Sequence, residues 1–235
     1  MTQAQRRLFL IQSLLKERPE YRDLSIPAEP ESQRQLLRGL MNIRTPQSVG
    51  ADFLQTQDAY LQGETAAKGI TDVADLTPMQ PGLYLWQGDI TTLKCDAIVN
   101  AANSGMTGCY IPNHRCIDNA IHTYAGVELR LAGEELMEQQ GYPEPTGQAK
   151  ITPAFNLPCR YVLHTVGPII DGRVTKKDKE LLASCYRSCL ELAAENSLES
   201  VASAVFPREN FIFPMTWQRR LQCRPSKNFS KSKPV

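Results

Sequence analysis

Asp96-Ala-Ile-Val-Asn-Ala-Ala-Asn103 reads as a short buried strand that ends on amides, and its surroundings decide the fold. Upstream, residues 83–87 form a second β-type run, and Gly88-Asp-Ile-Thr91 supplies turn residues between the two. Downstream, residues 118–140 read as one helix ending at Gly141. Ala149-Lys-Ile-Thr152 and Tyr161-Val-Leu-His-Thr-Val166 are strands, the second closed by Gly167-Pro168. Asp178 to Asn196 is a helix with Leu181, Cys185, Cys189 and Ala193 on one i+4 row. Such alternation predicts an α/β fold: a mostly parallel or mixed sheet with helices on both faces. Ligands in such folds bind beyond the carboxyl ends of the strands, which directs the search to the loops there.

Residues 1–75 are a different kind of sequence. Leu8, Ile11 and Leu15 form one helical stripe that Pro19 ends, and Leu36, Leu37, Leu40 and Met41 mark a second helix. A third is expected from Gly50 towards Gly63, with Pro78 and Pro81-Gly82 marking the boundary. No His or Cys precedes Cys95, so this part reads as a helical layer packed on the main domain rather than a chemical one.

The whole chain has 235 residues, a hydrophobic content of 42% and a net charge of +1. That composition supports a sizeable core and excludes wholesale disorder. No stretch reaches the length of an apolar membrane span, and residues 1–16 lack a signal-peptide core. Seven cysteines without an export signal point to a reducing cytoplasm. Arg219, Arg220, Arg224, Lys227, Lys231 and Lys233 concentrate positive charge in residues 215–235, leaving the body net acidic and arguing against nucleic-acid binding there.

Chemistry concentrates between Gly88 and His122. Cys109, His114 and Cys116 lie in a Gly- and Pro-containing loop just before a helix. Two thiolates and an imidazole suit Zn²⁺, and three protein ligands leave the open position typical of a catalytic site. For a fourth ligand, Cys95, His122 and Asp118 are the nearest candidates. Spacing alone equally allows two buried cysteines and an incidental histidine. Asp118 is either a helix-start cap or dipole partner, or a carboxylate beside a metal loop. Asn100 and Asn103 either form a turn or present amides to a polar ligand; Asp89 is a turn residue or a ligand acceptor.

Taken together, Gly88-Asp-Ile-Thr91 and Asp96–Asn103 resemble the macrodomain family of ADP-ribose binders. Gly108-Cys-Tyr-Ile-Pro-Asn-His-Arg-Cys-Ile-Asp-Asn-Ala-Ile-His122 resembles its zinc-dependent microbial branch, the protein-ADP-ribose hydrolases. Tyr161–Pro168 is similar to the family's next strand. The resemblance implies a three-layer α/β/α fold with a central mixed sheet over residues 82–214, preceded by a helical extension over 1–75. It implies that Asp89 accepts from the adenine amino group beside the Ile90 backbone, and that Asn103 contacts the distal ribose. Cys109, His114 and Cys116 would hold zinc, while Ile117, Asp118, Asn119 and Phe211 would line the site. Asn103 and Asp118 would be the catalytic pair. The substrate would be mono-ADP-ribosylated protein; the resemblance, to a branch linked to a sirtuin-type transferase and a lipoyl-carrier protein, implies the lipoyl carrier as a candidate. His122 and His164, with Cys95, Cys159, Cys185 and Cys189, are expected in the core.

One part of the family pattern is missing. Where the branch has a second phosphate loop resembling F-C-C-I-S-T-G-x-F-x-F-P, this chain reads Ser203-Ala-Val-Phe-Pro-Arg-Glu-Asn210 and then Phe211-Ile-Phe-Pro214. The glycine and hydroxyls whose turn should cradle the diphosphate are gone. A shifted reading frame explains the change. Allowed codons for Ala202–Phe211, with one T restored after the Ala202 codon and one A removed late in the run, read A-F-C-C-I-S-T-G-N-F. One A placed before the Met215 codon turns residues 215–229 into N-D-M-A-A-E-I-A-V-Q-T-V-K-E-F, an N-capped amphipathic helix. On this reading 215–235 is an aberrant basic tail, expected to be poorly ordered, with no nucleic-acid or membrane partner. Three functions follow from the sequence: a zinc-dependent hydrolase, an ADP-ribose-binding module without turnover, and a zinc-stabilised structural domain.

Overall fold

The computed structural model describes residues 1–21 and 23–204. Phe211, the altered loop and the basic tail lie outside the described residues.

Three helices open the chain: α1 (Gln3–Lys16), α2 (Pro30–Ile43) and α3 (Ala51–Lys68). Thr2 starts α1 with a reciprocal cap, its hydroxyl accepting from Gln5 N–H while the Gln5 side chain accepts from Thr2 N–H. The buried stripe of α1 is Arg7, Leu10, Ile11 and Leu14, rotated from the Leu8–Ile11–Leu15 stripe expected. Arg7 is tolerated inside because its Nε donates to the Gln33 side chain at 3.0 Å. Leu10, Ile11, Leu14, Leu37, Leu40, Phe53 and Leu61 form a core of their own, closed on the far side by Val127.

The second unit is a mixed sheet. Its strands are β3 (Ala97–Ala101), β4 (Ala149–Pro153), β5 (Tyr161–Thr165) and β6 (Val201–Ser203), in the order β4-β5-β3-β6. β3 is parallel to both β5 and β6, and β4 is antiparallel to β5. A small parallel pair, β1 (Thr71–Asp72) with β2 (Leu93–Lys94), joins the layers. The sheet helices are α4 (Ile117–Ala125), α5 (Val127–Gln140) and α6 (Lys176–Glu195).

Side chains alternate across the sheet as the pleat requires. Ile98 and Val162 pack with Ile121, Ala125 and Leu129 of α4 and α5. Ala97, Val99 and Leu163 pack with Cys189 and Ala193 of α6 on the opposite face. The result is the expected three-layer α/β/α arrangement. Asp96 ties the strand starts together: its carboxylate accepts from Glu199 N–H at 2.8 Å and Ser200 N–H at 3.0 Å, while its carbonyl accepts from Tyr161 N–H at 3.0 Å.

Two local expectations change. Residues 83–87 form no strand; Leu83 makes only an isolated bridge with Gln80. Among the described residues that run pairs with no strand of the sheet. The single helix over 118–140 is two helices broken at Gly126. Gly126 has φ +101, and a Cβ there would come within 2.6 Å of the Gln57 amide. Gln57 itself accepts the Val127 N–H at 2.9 Å, so an α3 side chain replaces the backbone acceptor that the break removes.

Candidate functional site

β3 delivers its carboxyl end to Asn103, and the chain then runs through the loop 104–116 into α4. Asn103 closes the strand: its amide donates to the Gly108 carbonyl at 3.0 Å, and its side-chain oxygen accepts Gly105 N–H at 2.9 Å. Gly108 has φ +83, and a Cβ there would meet the His122 ring at 2.7 Å, so glycine lets the loop pass over α4.

The loop brings Cys109, His114 and Cys116 together, with their ligand atoms all within 4.8 Å of one another. The Cys109 Sγ to His114 Nδ1 distance is 3.6 Å. That is close to the edge of a tetrahedron with metal–sulfur and metal–nitrogen bonds of about 2.3 and 2.0 Å. The geometry therefore fits a metal ion. Among the described residues this is the one group of three or more potential ligands, and Cys95, His122 and Asp118 do not join it. Burial pushes the Cys116 thiol up to about 11, against the opposing Asn119 N–H bond, so a nearby positive charge is needed to make it a thiolate.

Cys116 is also the N-cap of α4, its Sγ accepting Asn119 N–H at 3.3 Å. Asp118 is therefore not the cap but an inward-facing acid in the first turn, 5% exposed. Its carboxylate accepts from the Asn100 amide at 2.8 Å, and His122 Nε2 approaches to 3.5 Å without a hydrogen bond. Burial pushes the Asp118 carboxyl up to about 6, against Asn100 and the Arg130 charge. The same Asn100 amide lies 3.2 Å from His164 Nδ1, while His164 Nε2 meets the Thr152 hydroxyl at 2.9 Å. Asn100 is thus neither a turn residue nor a free amide; it holds Asp118 from inside the sheet. His122 and His164 are buried as expected, and burial lowers both ring pKa values, that of His164 to about 4. Beside His122 a void of about 10 Å³, lined by Asn42, Arg44 and Arg130 among others, is large enough for about one water.

Asp89 lies apart from these groups, near the start of the Gly88–His122 segment. Its Oδ1 accepts from Thr91 N–H at 3.0 Å and from the Thr91 hydroxyl at 2.6 Å, capping a short 3-10 turn over Ile90–Thr92. Its Oδ2 accepts from Lys68 Nζ at 2.9 Å. Partial burial would raise its pKa, but these hydrogen bonds outweigh it and hold the carboxyl below its ordinary value. Ile90 and Ile117 are half-buried, packed against the core on the α4 face of the sheet. Asn119 is fully buried, with its side-chain oxygen accepting from Arg38 and its amide donating to the Ile111 carbonyl at 3.1 Å.

The helical layer packs on the sheet unit as expected and also contacts the candidate site. Arg38, Asn42 and Lys68 reach the metal loop and Asp89, and Arg130 of α5 donates to the carbonyls of Asn42, Arg44 and Cys109. The available signal was the polar pair Arg38 and Asn42, one helical turn apart among the core positions Leu37, Leu40 and Met41.

Comparison with known proteins agrees with this geometry. The Macro domain profile matches residues 99–219. A protein-ADP-ribose hydrolase of Treponema medium is 57% identical over 218 residues, spanning 91% of this chain and 84% of that protein. A protein-ADP-ribose hydrolase of Staphylococcus aureus strain MSSA476 is 44% identical over 225 residues, spanning 95% and 84%. The Trypanosoma brucei macrodomain solved in complex with ADP superposes with a TM-score of 0.57 at 25% identity, covering 84% of this chain and 85% of that one. With the sheet order, the loop after β3 and these relatives in agreement, the chain belongs to the macro domain family.

Proposed function

We propose that the protein is a zinc-dependent hydrolase that removes mono-ADP-ribose from modified protein side chains. The observation that carries the reading is the Cys109–His114–Cys116 cluster at the carboxyl end of β3, on the same loop-and-helix segment as Asn103 and Asp118. Its two relatives named protein-ADP-ribose hydrolase match over most of the chain, which supports the reaction class. Water adds across the bond between the side chain and C1″ of ADP-ribose: its oxygen goes to C1″ and a proton goes to the departing side chain. Zinc held by Cys109, His114 and Cys116 supplies a Lewis acid there. Asn103 orients the distal ribose, and Asp118, held by Asn100, accepts or returns the proton. Asp89 takes the adenine amino group and the Ile90 backbone flanks it, while Ile117 and the start of α4 face the phosphates. Phe211, which lies outside the described residues, is also assigned to ADP-ribose binding on this reading. Six free thiols among the described residues suit a cytoplasmic setting, and no described helix is long and apolar enough to cross a membrane.

The test is release of ADP-ribose from a mono-ADP-ribosylated protein, with zinc, after chelation and in Cys116→Ala. Turnover lost on chelation with the far-UV spectrum retained supports the hydrolase. Unfolding on chelation assigns the metal a structural role instead. A second reading, a binding module without turnover, is favoured by one specific observation: residues 203–210 lack the glycine and hydroxyls of the second phosphate loop. ADP-ribose bound without release in the presence of zinc selects it. Resequencing the gene from codon 200 decides whether that loop is truly altered, and calorimetry should show tighter ADP-ribose binding once the loop is restored.

A further inference from the structure

The metal loop has little structure of its own. Residues 110–115 are exposed, and His114 N–H to the Ile111 carbonyl at 3.2 Å is its one backbone bond within that span among the described residues. Asn113 sits at φ +55, a conformation that a side chain rarely adopts unaided. Such a loop must be ordered before three ligands can converge, and that ordering costs conformational entropy. The source of order is α2. Arg38 Nη2 donates to the His114 carbonyl at 2.9 Å and to Asn119 Oδ1 at 2.8 Å, and Arg38 Nε adds a bond to the same Asn119 oxygen at 3.2 Å. One turn on, Asn42 accepts Asn113 N–H at 3.0 Å and donates to Thr123 at 3.0 Å. Between them Gly39 lets the loop rest on the helix: a Cβ there would lie 3.3 Å from the Asn113 amide.

We propose that Arg38 is a positioning residue for the metal site, and that the Arg38–Gly39–Asn42 face of α2 is a clasp that pre-forms the ligand loop. Arg38 acts on two of the three ligands, since it holds the backbone of His114 directly and reaches Cys116 through Asn119, whose N–H bonds the Cys116 sulfur. A helix that looks like packing is thereby part of the site, and the fork geometry of arginine matches its two separate acceptors. The inference rests on Cys109, His114 and Cys116 being metal ligands.

The experiment compares the unaltered protein with Arg38→Ala, Arg38→Lys and Gly39→Leu. Zinc affinity is read by competition with a colorimetric chelator, and order in the loop by amide hydrogen exchange of the metal-free protein. Arg38→Ala should weaken zinc binding about tenfold or more, as loss of an outer support to a ligand does. It should also speed exchange across residues 109–119 and leave the sheet protected. Arg38→Lys should recover only part, because an ammonium lacks the second bond that Nε makes to Asn119 and the planar geometry that fixes both acceptors. Gly39→Leu removes no hydrogen-bonding group and replaces glycine with a better helix former, yet it wedges the loop off α2 and should weaken zinc binding likewise. It carries the test should Arg38→Ala fail to fold. Unchanged zinc affinity and loop exchange in the folded variants overturn the proposal, as does acceleration spread evenly over the whole molecule. If the unaltered protein binds no zinc but loop exchange still responds, the metal reading has failed while the clasp stands.

Discussion

Asp89 marks an exposed end and Asp118 a buried end of the segment from Gly88 to His122, and the protein treats the two aspartates in opposite ways. Asp89 stands at an exposed turn, where Thr91 and Lys68 occupy its oxygens and keep it below the ordinary carboxylate range despite partial burial. Asp118 is 5% exposed and is pushed up to about 6 by burial, with Asn100 and Arg130 pulling the other way. Asp89 is a standing anion, suited to accepting from a ligand's donors. Asp118 is a carboxyl whose charge is costly and which rests on a network reaching through Asn100 to His164 and Thr152. Identical side chains are thus suited to different work, the one to recognition and the other to the proton chemistry proposed for it, because one is solvated and the other is not.

The largest effect expected is at the buried end. Asp118→Asn should lower turnover about 10²- to 10⁴-fold, while ADP-ribose affinity by calorimetry changes far less. Equal losses in both would erase the distinction between the two ends. Next comes the support beneath Asp118. Folded His164 titrates near 4, against about 6.5 for an unfolded histidine. Between those values the unfolded chain binds more protons, so stability is full above about 6.5 and falls as pH drops towards 4, by about 3 kcal/mol in all. Denaturant melts from pH 7 to 4 should show this slope, and His164→Gln should flatten it, with the lowered His122 leaving a residual. A slope unchanged in the variant would detach the network from that histidine.

At the exposed end the effects are smaller. Asp89→Ala should weaken ADP-ribose binding about tenfold through loss of one charge-assisted hydrogen bond, with saturated turnover nearly unaltered. A fall in saturated turnover without loss of binding would assign Asp89 to the chemistry instead. The smallest change expected is from Lys68→Met, which should let the Asp89 pKa rise towards its ordinary value in an NMR titration. The pair is partly exposed, so stability should move by less than about 1 kcal/mol. No movement of the Asp89 titration would mean that Thr91 alone holds it down.

The parts legible in the sequence are those with short-range signatures. β3, β5 and α6 announce themselves by apolar period, and their cores contain Val162, Leu163, Cys185 and Cys189 as that period requires. The rotation of the α1 stripe towards Arg7 was not legible, because a buried arginine depends on Gln33 of another helix. The break at Gly126 was missed for the same reason, since the acceptor that makes it tolerable is Gln57 of α3. Residues 83–87 have strand composition but pair with no strand among the described residues, which no local pattern reveals.

By itself the sequence singled out the candidate metal-ligand trio, the amides at the end of β3 and the alternation that builds the sheet, because each is encoded within a few residues. Only the tertiary structure decided that Asp118 is buried against Asn100, that Lys68 faces Asp89, and that Arg38 and Asn42 grip the metal loop. The α2 contacts join residues more than 70 positions apart, and burial is a property of everything packed around a group. Proximity of that kind is set by how two cores meet, the helical one and the one over the sheet, and it leaves no periodic mark on the chain.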